Sequence, residues 1–481
     1  MSGAVVAGYA AVAAVLAWRS LSWPLVHDAP IMHYIAWRIA DGAAPYRDLF
    51  DMNQPGVYLL HLAVLETLGP GDLAWRAFDL GWLSLASVAI ASVAARWGAV
   101  AAAGGALAFA MYHLAGGAWQ AGQRDFLLSP LLVLGVLGVA RWLEAPGRWG
   151  SLAWSGAAMG AAVTLKPHAG VLALGLGIVV IVAATRAGGL GAGVAAALAY
   201  GALAAVAPAA ALAWLGATGA LDAWRQVVFD YLLPLYSRLG RDATWAIHRR
   251  EVWIPLALGA LVSVAALVRV RRLGARGALA LVGLAYGVVH FLGQGKGWEY
   301  HLYPLAAFVA VLLFAGLGPA GGWTRAPLVA ALLASLIVLG LKGVEAAPAR
   351  WERDTVARVR VLEADLRARL RPGDTVQVLD TTGGGAHALL RLGVRQPTRF
   401  LYDFHFFHDV DTPVVRALRA ELIRGLDAAP PRFVVLFERG WPAGGYDRVR
   451  AFPELAARLA TRYTVVAARD GYRIHEKSDG P

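Results

Sequence analysis

Few residues in this chain can do chemistry, and those few gather at the ends of apolar runs. Residues 27–56, HDAPIMHYIAWRIADGAAPYRDLFDMNQPG, follow the apolar segment GAVVAGYAAVAAVLAW. Asp28 stands at the junction of the first run with a helix-like stretch. Arg47, Asp48, Asp51, Asn53 and Gln54 crowd a Gly/Pro-punctuated loop. GQRDFLLSP (122–130) places Arg124 and Asp125 at the head of a later run. TLKPHAG (164–170) supplies Lys166 and His168, and GQGKGWEYHLYPL (293–305) supplies Lys296, Glu299, Tyr300 and His301. A carboxylate so placed can take a proton from a hydroxyl or amine, and a cation can neutralise charge developing on a departing phosphate. Plainer roles compete with these. Asp28 suits an N-cap for a helix starting at Pro30, and Asp48 and Asp51 suit solvated or Arg47-paired positions. Trp119, Trp298 and Tyr300 suit interfacial anchors.

Composition says what must position these groups. The chain has 481 residues, 58% hydrophobic and only 16% charged, with mean hydropathy +0.54. Soluble domains carry about a quarter charged residues, so this balance points to a membrane. Cysteine is absent, which removes disulfides, thiolate metal sites and cysteine nucleophiles together. The first run lacks a basic leader and a small-residue cleavage site, and reads as a retained span. A net charge of +12 raises nucleic acid as a partner. The basic residues, however, are dispersed between apolar segments and form no aromatic-interleaved stripe. Anionic lipid or phosphate is the expected partner, and nucleic acid is not.

A helix crosses a bilayer with about 20 mostly apolar residues, because hydrocarbon satisfies no free backbone group. About eleven stretches qualify. They lie at 4–22, 73–95, 98–116, 126–143, 150–165, 168–185, 190–215, 252–269, 277–293, 301–317 and 326–342. Several are Gly/Ala-rich, which lets helices approach closely in lipid, and short ones such as 150–165 suit tilted or broken spans. Between the first two, IMHYIAWRIADG puts Ile31, Tyr34, Ile35, Arg38 and Ile39 near one helical face. With VYLLHLAVLETLG it predicts helices, over about 29–69, that rest on the membrane surface without crossing it.

After residue 343 the composition changes. EAAPARWERDTVARVRVLEADLRARLRPGD is charged and amphipathic at helical spacing. TVQVLD, RFVVLF and RYTVVAARDGYRIHEK read as strands, separated by helical stretches at 411–428 and 452–462. TTGGGAH reads as a loop, and HFFH (405–408) sets two histidines three apart without a third ligand nearby. The expected architecture is an α-helical polytopic membrane domain, residues 1–345, followed by a small soluble α/β domain, residues 346–481. An odd number of spans puts the soluble domain across the membrane from the N-terminus. With that terminus inside, nine basic residues fall on inner connections and thirteen, Arg241 among them, on outer segments and span ends. The positive-inside rule therefore leaves orientation open. The same topology collects Arg124, Lys166 and Lys296 on one face, with the polar loops 23–72 and 216–251. A basic rim there suits a phosphate-bearing lipid head group.

The loop over residues 28–55 resembles the first outer loop of GT-C glycosyltransferases, in particular the protein O-mannosyltransferase and aminoarabinose-transferase branch (glycosyltransferase family 39-like). The likeness rests on an aspartate, an aromatic-containing surface helix, and then GAAPYRDLFDMNQP, which matches a PY-x-D-x-F-x-x-x-x-P pattern. Ala29 stands where a second acid usually follows the aspartate, and Asn53-Gln54 where a histidine is common. GQRDFLLSP, TLKPHAG and GQGKGWEYHLYPL resemble later turns of such proteins, and the resemblance spans about residues 1–345. It implies a GT-C fold in a bacterial inner membrane, with the soluble domain extracytoplasmic. It also implies a polyprenyl-phosphate sugar donor and an extracytoplasmic glycan, lipid or protein acceptor. No cofactor is implied, although carboxylates alone can hold a divalent metal. Under the resemblance Asp28 is the base, and Asp125 orients the acceptor or shares the proton. Arg124, Lys166, Lys296 and His301 clamp phosphate. Arg47, Asp48, Asp51, Asn53, Gln54, His168, Glu299 and Tyr300 complete the substrate-binding set. In-line displacement inverts the anomeric centre.

Other readings fit less. A transporter or flippase for a lipid-linked or anionic substrate needs ionisable groups near mid-span and repeated halves, and the sequence offers neither. A membrane scaffold with a binding tail explains the tail but not PYRDLFDMNQP. GQGKG lacks the GK[ST] of a phosphate loop and follows an apolar span instead of a strand.

Overall fold

The computed structural model describes residues 2–240, 249–319 and 322–478; Arg241 lies outside them. Each apolar stretch is helical, since only a helix satisfies its own backbone in lipid. α1 (Ser2–Arg19) ends in a 3-10 turn, and α2 (Ala29–Ala40) and α3 (Pro55–Thr67) fill the first polar loop. α4 (Asp72–Ala94), α5 (Ala99–Gly116), α6 (Arg124–Glu144) and α7 (Trp149–Leu165) follow through short connections. α8 (Ala169–Ala217) runs for 49 residues, but Gly188 and Gly189 (φ +77°) break it into two helices. Glycine alone takes such a φ without strain. After the short α9 (Leu221–Gln226) come α10 (Arg250–Arg269), α11 (Gly274–Gln294), α12 (Tyr303–Leu313) and α13 (Arg325–Ala346).

Among the described residues, eight helices are long and apolar enough to cross a membrane. The difference from eleven has a simple cause. The two halves of α8 count as one helix, and α7 and α12 have only 17 and 11 residues. The chain is a polytopic membrane protein. Small residues set its closest contacts: a methyl carbon added at Gly156 or Gly160 of α7 would stand 2.2 or 2.3 Å from the Tyr200 or Ala204 carbonyl oxygen of α8. This is the packing that Gly/Ala-rich spans permit.

Beyond α13 the chain builds a small α/β unit. α14 (Arg353–Arg367), β1 (Val376–Leu379), α15 (Gly385–Leu392), α16 (Pro413–Ala428), β2 (Phe433–Phe437), α17 (Pro453–Arg462), β3 (Tyr463–Arg469) and β4 (Tyr472–Lys477) follow in order. The sheet order is β1-β2-β4-β3, with β1 parallel to β2 and the other pairs antiparallel. RYTVVAARDGYRIHEK is the β3–β4 hairpin. Two expectations need correction here. TTGGGAH is a loop only in part, because α15 starts within it. The Asp380 carboxylate accepts from the amides of Gly383, Gly384 and Gly385 at 2.7, 3.0 and 2.8 Å, satisfying donors that a helix start leaves free.

The second correction concerns α2. It does not lie open at the membrane interface: Ala29 to Ala36 are all buried, partly beneath the soluble domain. The Tyr34 hydroxyl donates to the Val394 carbonyl (3.2 Å) and accepts from the Gln396 amide (3.1 Å). Arg395 pairs with Asp41 at 2.7 Å. Further along the loop, the Phe50 amide donates to the Arg399 carbonyl (2.7 Å), and Arg399 donates to the Tyr46 carbonyl (2.9 Å). Amphipathicity told that α2 had a face to bury. It could not tell that protein, and not lipid, would cover it.

Candidate active site

Two charge centres meet at the head of α6, where consecutive residues look in different directions. Arg124 reaches back to the first loop. It donates to Asp28 Oδ2 at 2.9 Å and to Asn53 Oδ1 at 2.7 Å, with its guanidinium 5.9 Å from the Tyr300 ring centre. Asn53 Nδ2 in turn donates to Asp51 Oδ2 (2.8 Å), which also accepts the Tyr58 hydroxyl (2.7 Å). Asp28 occupies the N-cap position of α2, but its side chain makes no capping bond. Its second oxygen, Oδ1, lies 3.1 Å from His27 Nδ1. Burial opposes charge on Asp28. The His27 ring and the Arg124 guanidinium outweigh it together and hold the carboxyl below the usual range. Among the described residues no cation pairs with Asp51, and burial pushes its carboxyl up despite the bonds from Tyr58 and Asn53.

Asp125 faces the other way and is sealed. Lys166 Nζ lies 3.0 Å from Oδ1 and 2.7 Å from Oδ2, and His290 Nε2 lies 2.5 Å from Oδ1. Lys166 also donates to Gln294 Oε1 at 2.7 Å. His168 stands with its ring 5.8 Å from that of His290, and His301 at 6.4 Å, so both border this centre. The His301 ring packs on Trp298 and Tyr300, and among the described residues its Nδ1 has no hydrogen-bond partner. A small cavity opens beside the Asp28 centre, lined by Asp28, Met32, His61, Gly122, Gln123 and Arg124.

The remaining expected residues sit at varying remove. Lys296 is nearly buried over the Tyr236 ring, 3.4 Å from its centre, and donates to the Tyr236 carbonyl. Glu299 pairs with Arg249 at 3.3 Å. Gln54 accepts from Trp224 Nε1 at 3.4 Å. Arg47 and Asp48 pair with each other through two bonds of 3.0 and 2.9 Å, in the open. Among the described residues nothing joins that pair to Asp28. In the soluble domain, His405 binds the Tyr231 hydroxyl (2.7 Å) and His408 packs on Trp441. Among the described residues no three His, Cys, Asp or Glu side chains are arranged to hold a metal ion.

Several contributors were not foreseen. His27, His290, Gln294 and Tyr58 belong to the two centres. A signal existed for α11: a histidine four residues before a glutamine in an apolar run puts both polar groups on one helical face. Asp79 is another. It accepts from Arg76, from His113 Nε2 (3.0 Å) and from the Gly122 amide (2.7 Å), while the Tyr303 hydroxyl binds His113 Nδ1 at 2.7 Å. This network fixes the turn before α6 and so aims Arg124. His61 and His33 share a 2.7 Å bond between their Nδ1 atoms, and His61 stacks on Trp75 beside the cavity.

No protein-family model and no curated protein matches the chain. Solved structures do. ArnT from Cupriavidus metallidurans bound to undecaprenyl phosphate superposes with TM-score 0.61 at 14% identity, covering 100% of both chains. Its apo state gives 0.62, with 98% of each chain covered. The oligosaccharyltransferase AglB from Archaeoglobus fulgidus, in complex with an inhibitory peptide and a dolichol-phosphate, gives 0.52 at 11% identity over 98% of this chain and 75% of its own. Such identities speak for architecture alone, and they do so over the whole length, soluble domain included. The protein has the GT-C fold.

Proposed function

We propose that this protein is a membrane glycosyltransferase that moves a sugar from a polyprenyl-phosphate donor to an extracytoplasmic glycan, lipid or protein, with inversion at the anomeric carbon. The observation that carries the reading is the split at the head of α6: Arg124 binds Asp28 beside a cavity, while Asp125 holds Lys166 next door. That gives a carboxylate at the cavity, Asp28, and two cations, Arg124 and Lys166, gathered around two consecutive residues of α6, which is the equipment such a transfer needs.

Phosphate is already a good leaving group, so the protein must supply a base and positive charge, not an acid. Arg124 can serve both ends. An arriving donor phosphate competes for its guanidinium, and as Arg124 turns to the phosphate it releases Asp28 to accept the acceptor's proton. Asp125 and His290 keep Lys166 in place beside it. From the α11–α12 turn Tyr300 stands over Arg124 and His301 near His290, while Asn53, itself bonded to Asp51, holds Arg124 from the first loop. The soluble domain, residues 346–481, acts as a lid and acceptor platform clamped onto the first loop. The ArnT structure that contains undecaprenyl phosphate and the AglB structure that contains dolichol-phosphate support this class of donor.

The test is direct. Purified protein is offered a panel of undecaprenyl-phosphate pentoses and hexoses together with a bacterial envelope extract as the source of glycan, lipid and protein acceptors, and release of undecaprenyl phosphate is measured. Turnover of at least one donor is expected, and turnover of none sinks the reading. The side of the membrane is separately testable, because the chain has no cysteine. Asp222→Cys should react with an impermeant thiol reagent on whole cells, and Ala187→Cys should not. The reverse pattern would place the site in the cytoplasm.

A further inference from the structure

Every transfer that Asp28 assists leaves a proton on a carboxyl that protein almost encloses. The side chain is 16% exposed, and its two oxygens face Arg124 and His27. Arginine cannot take a proton away, being already charged. The neighbour that can is His27, whose Nδ1 lies 3.1 Å from Oδ1 and whose side chain is 34% exposed. His27 also lines a second cavity, shared with Pro30, Thr355, Asp380 and His387 at the seam with the soluble domain. Its backbone sits at φ +60°, a left-handed conformation unfavourable for a residue with a side chain. The strained turn points the ring at Asp28.

We propose that His27 is the proton outlet of the site, relaying to water the proton that Asp28 collects. The proposal rests on the transfer reaction argued above. The chemistry balances as follows. The acceptor O–H bond breaks and its oxygen bonds the anomeric carbon, while the carbon–oxygen bond to phosphate breaks with its electron pair going to phosphate. The proton moves to Asp28, then from Oδ1 to Nδ1 of the neutral His27 ring. The imidazolium releases a proton to water, and exchange with water resets the tautomer. His27 acts through Asp28 and does not touch substrate, so it is a positioning and relay residue.

The groups around His27 set its working range. Asp28 and Glu352 favour the imidazolium; Arg124 opposes it. Gln123 Nε2 approaches at 3.4 Å, the Trp119 ring stands edge-on at 5.6 Å, and Asp380 and His387 share the outer cavity. Burial disfavours the charge, but Asp28 and then Glu352 more than offset it, so the ring titrates above an ordinary histidine. Because the relay needs the neutral ring, kcat should fall on the acid side through that raised value.

The experiment uses the full chain and whichever donor of the panel the wild type turns over. His27→Gly removes the ring, relieves the positive φ and leaves a space of imidazole size; His27→Asn keeps a polar group that tolerates the same φ. Expected in both is a fall in kcat on the order of tenfold, with the donor KM unchanged and the acid limb of the pH profile lost. In His27→Gly, added imidazole should restore kcat with saturation. An unchanged kcat, or a loss that imidazole does not repair in a variant that still binds donor, overturns the relay while leaving the transferase reading standing. If the wild type turns over no donor, the transferase reading falls and the relay with it.

Discussion

Two arginine–aspartate networks lie near the head of α6, and they differ in what surrounds them. Around Asp79 both carboxylate oxygens are engaged, although Arg76 Nε has no hydrogen-bond partner among the described residues. Arg76 is gripped by Asp79 and Ser20 and lies over the Trp23 ring, and His113 is held from both sides. Arg76 and Asp79 are 1% and 0% exposed. Around Asp28 the pairing is similar, but the residues line one cavity and adjoin another. A buried ion pair is costly to assemble and more costly to break. The sealed network is thus a fastening, while the one at a cavity has something left to bind. The same charges play different parts, and enclosure separates them.

The sharpest way to break this comparison is to remove one member of the sealed network. Asp79→Asn leaves Arg76 charged and unmatched in the bundle, and uncoupling such a pair costs about 3–5 kcal/mol. A large drop in the thermal unfolding midpoint of the purified protein is expected, with activity falling only as folded protein is lost. Asp28→Asn should do the opposite. Turnover should fall by about 10²–10⁴, the range usual for removing a general base, while donor binding and the unfolding midpoint stay near wild type. If both variants behave alike in both assays, enclosure does not separate fastening from function.

Next in size comes Arg124→Lys. A lysine has one point of charge and cannot bridge Asp28 and Asn53 as the planar guanidinium does. The charge survives, so the loss should be smaller than for Asp28→Asn, about tenfold in kcat/KM. The titration of transfer rate against donor concentration should show a raised KM. A loss confined to kcat would mean that Arg124 never meets the phosphate.

How much of this was legible in the chain alone? Spans were, because a stretch of apolar residues long enough for a bilayer has few other uses. So were Asp28, Arg124, Asp125 and Lys166, as rare charges at span ends. Their pairing was not legible. Arg124–Asp28 joins residues 96 apart and Lys166–Asp125 residues 41 apart, and span ends carry no mark of which neighbours they meet. Asp79 was invisible for a related reason: a charge about two turns into an apolar run reads as a span end when its partners lie on other helices. The GGG stretch was misleading locally, because its three amides find their acceptor in Asp380 and become a helix start.

The smallest effect belongs to Asp48, and it tests the comparison at its quiet end. Asp48 shares a loop with Asp28 and also pairs with an arginine, so sequence puts the two on equal footing. Its side chain is 38% exposed and that of Arg47 53%, where solvent and salt screen the pair. Arg47 holds the Asp48 carboxyl somewhat below its ordinary value, against a small opposing cost of burial. An exposed pair of this kind contributes little to stability. Asp48 Oδ2 also accepts the Ala44 amide at 2.8 Å, a bond that asparagine can keep through its carbonyl oxygen. Asp48→Asn should therefore move the unfolding midpoint by a degree or so and leave transfer within about twofold of wild type. A loss as deep as that of Asp28→Asn would show that the loop's outer end reaches the acceptor during turnover. The open pair would then belong to the site as firmly as the enclosed one.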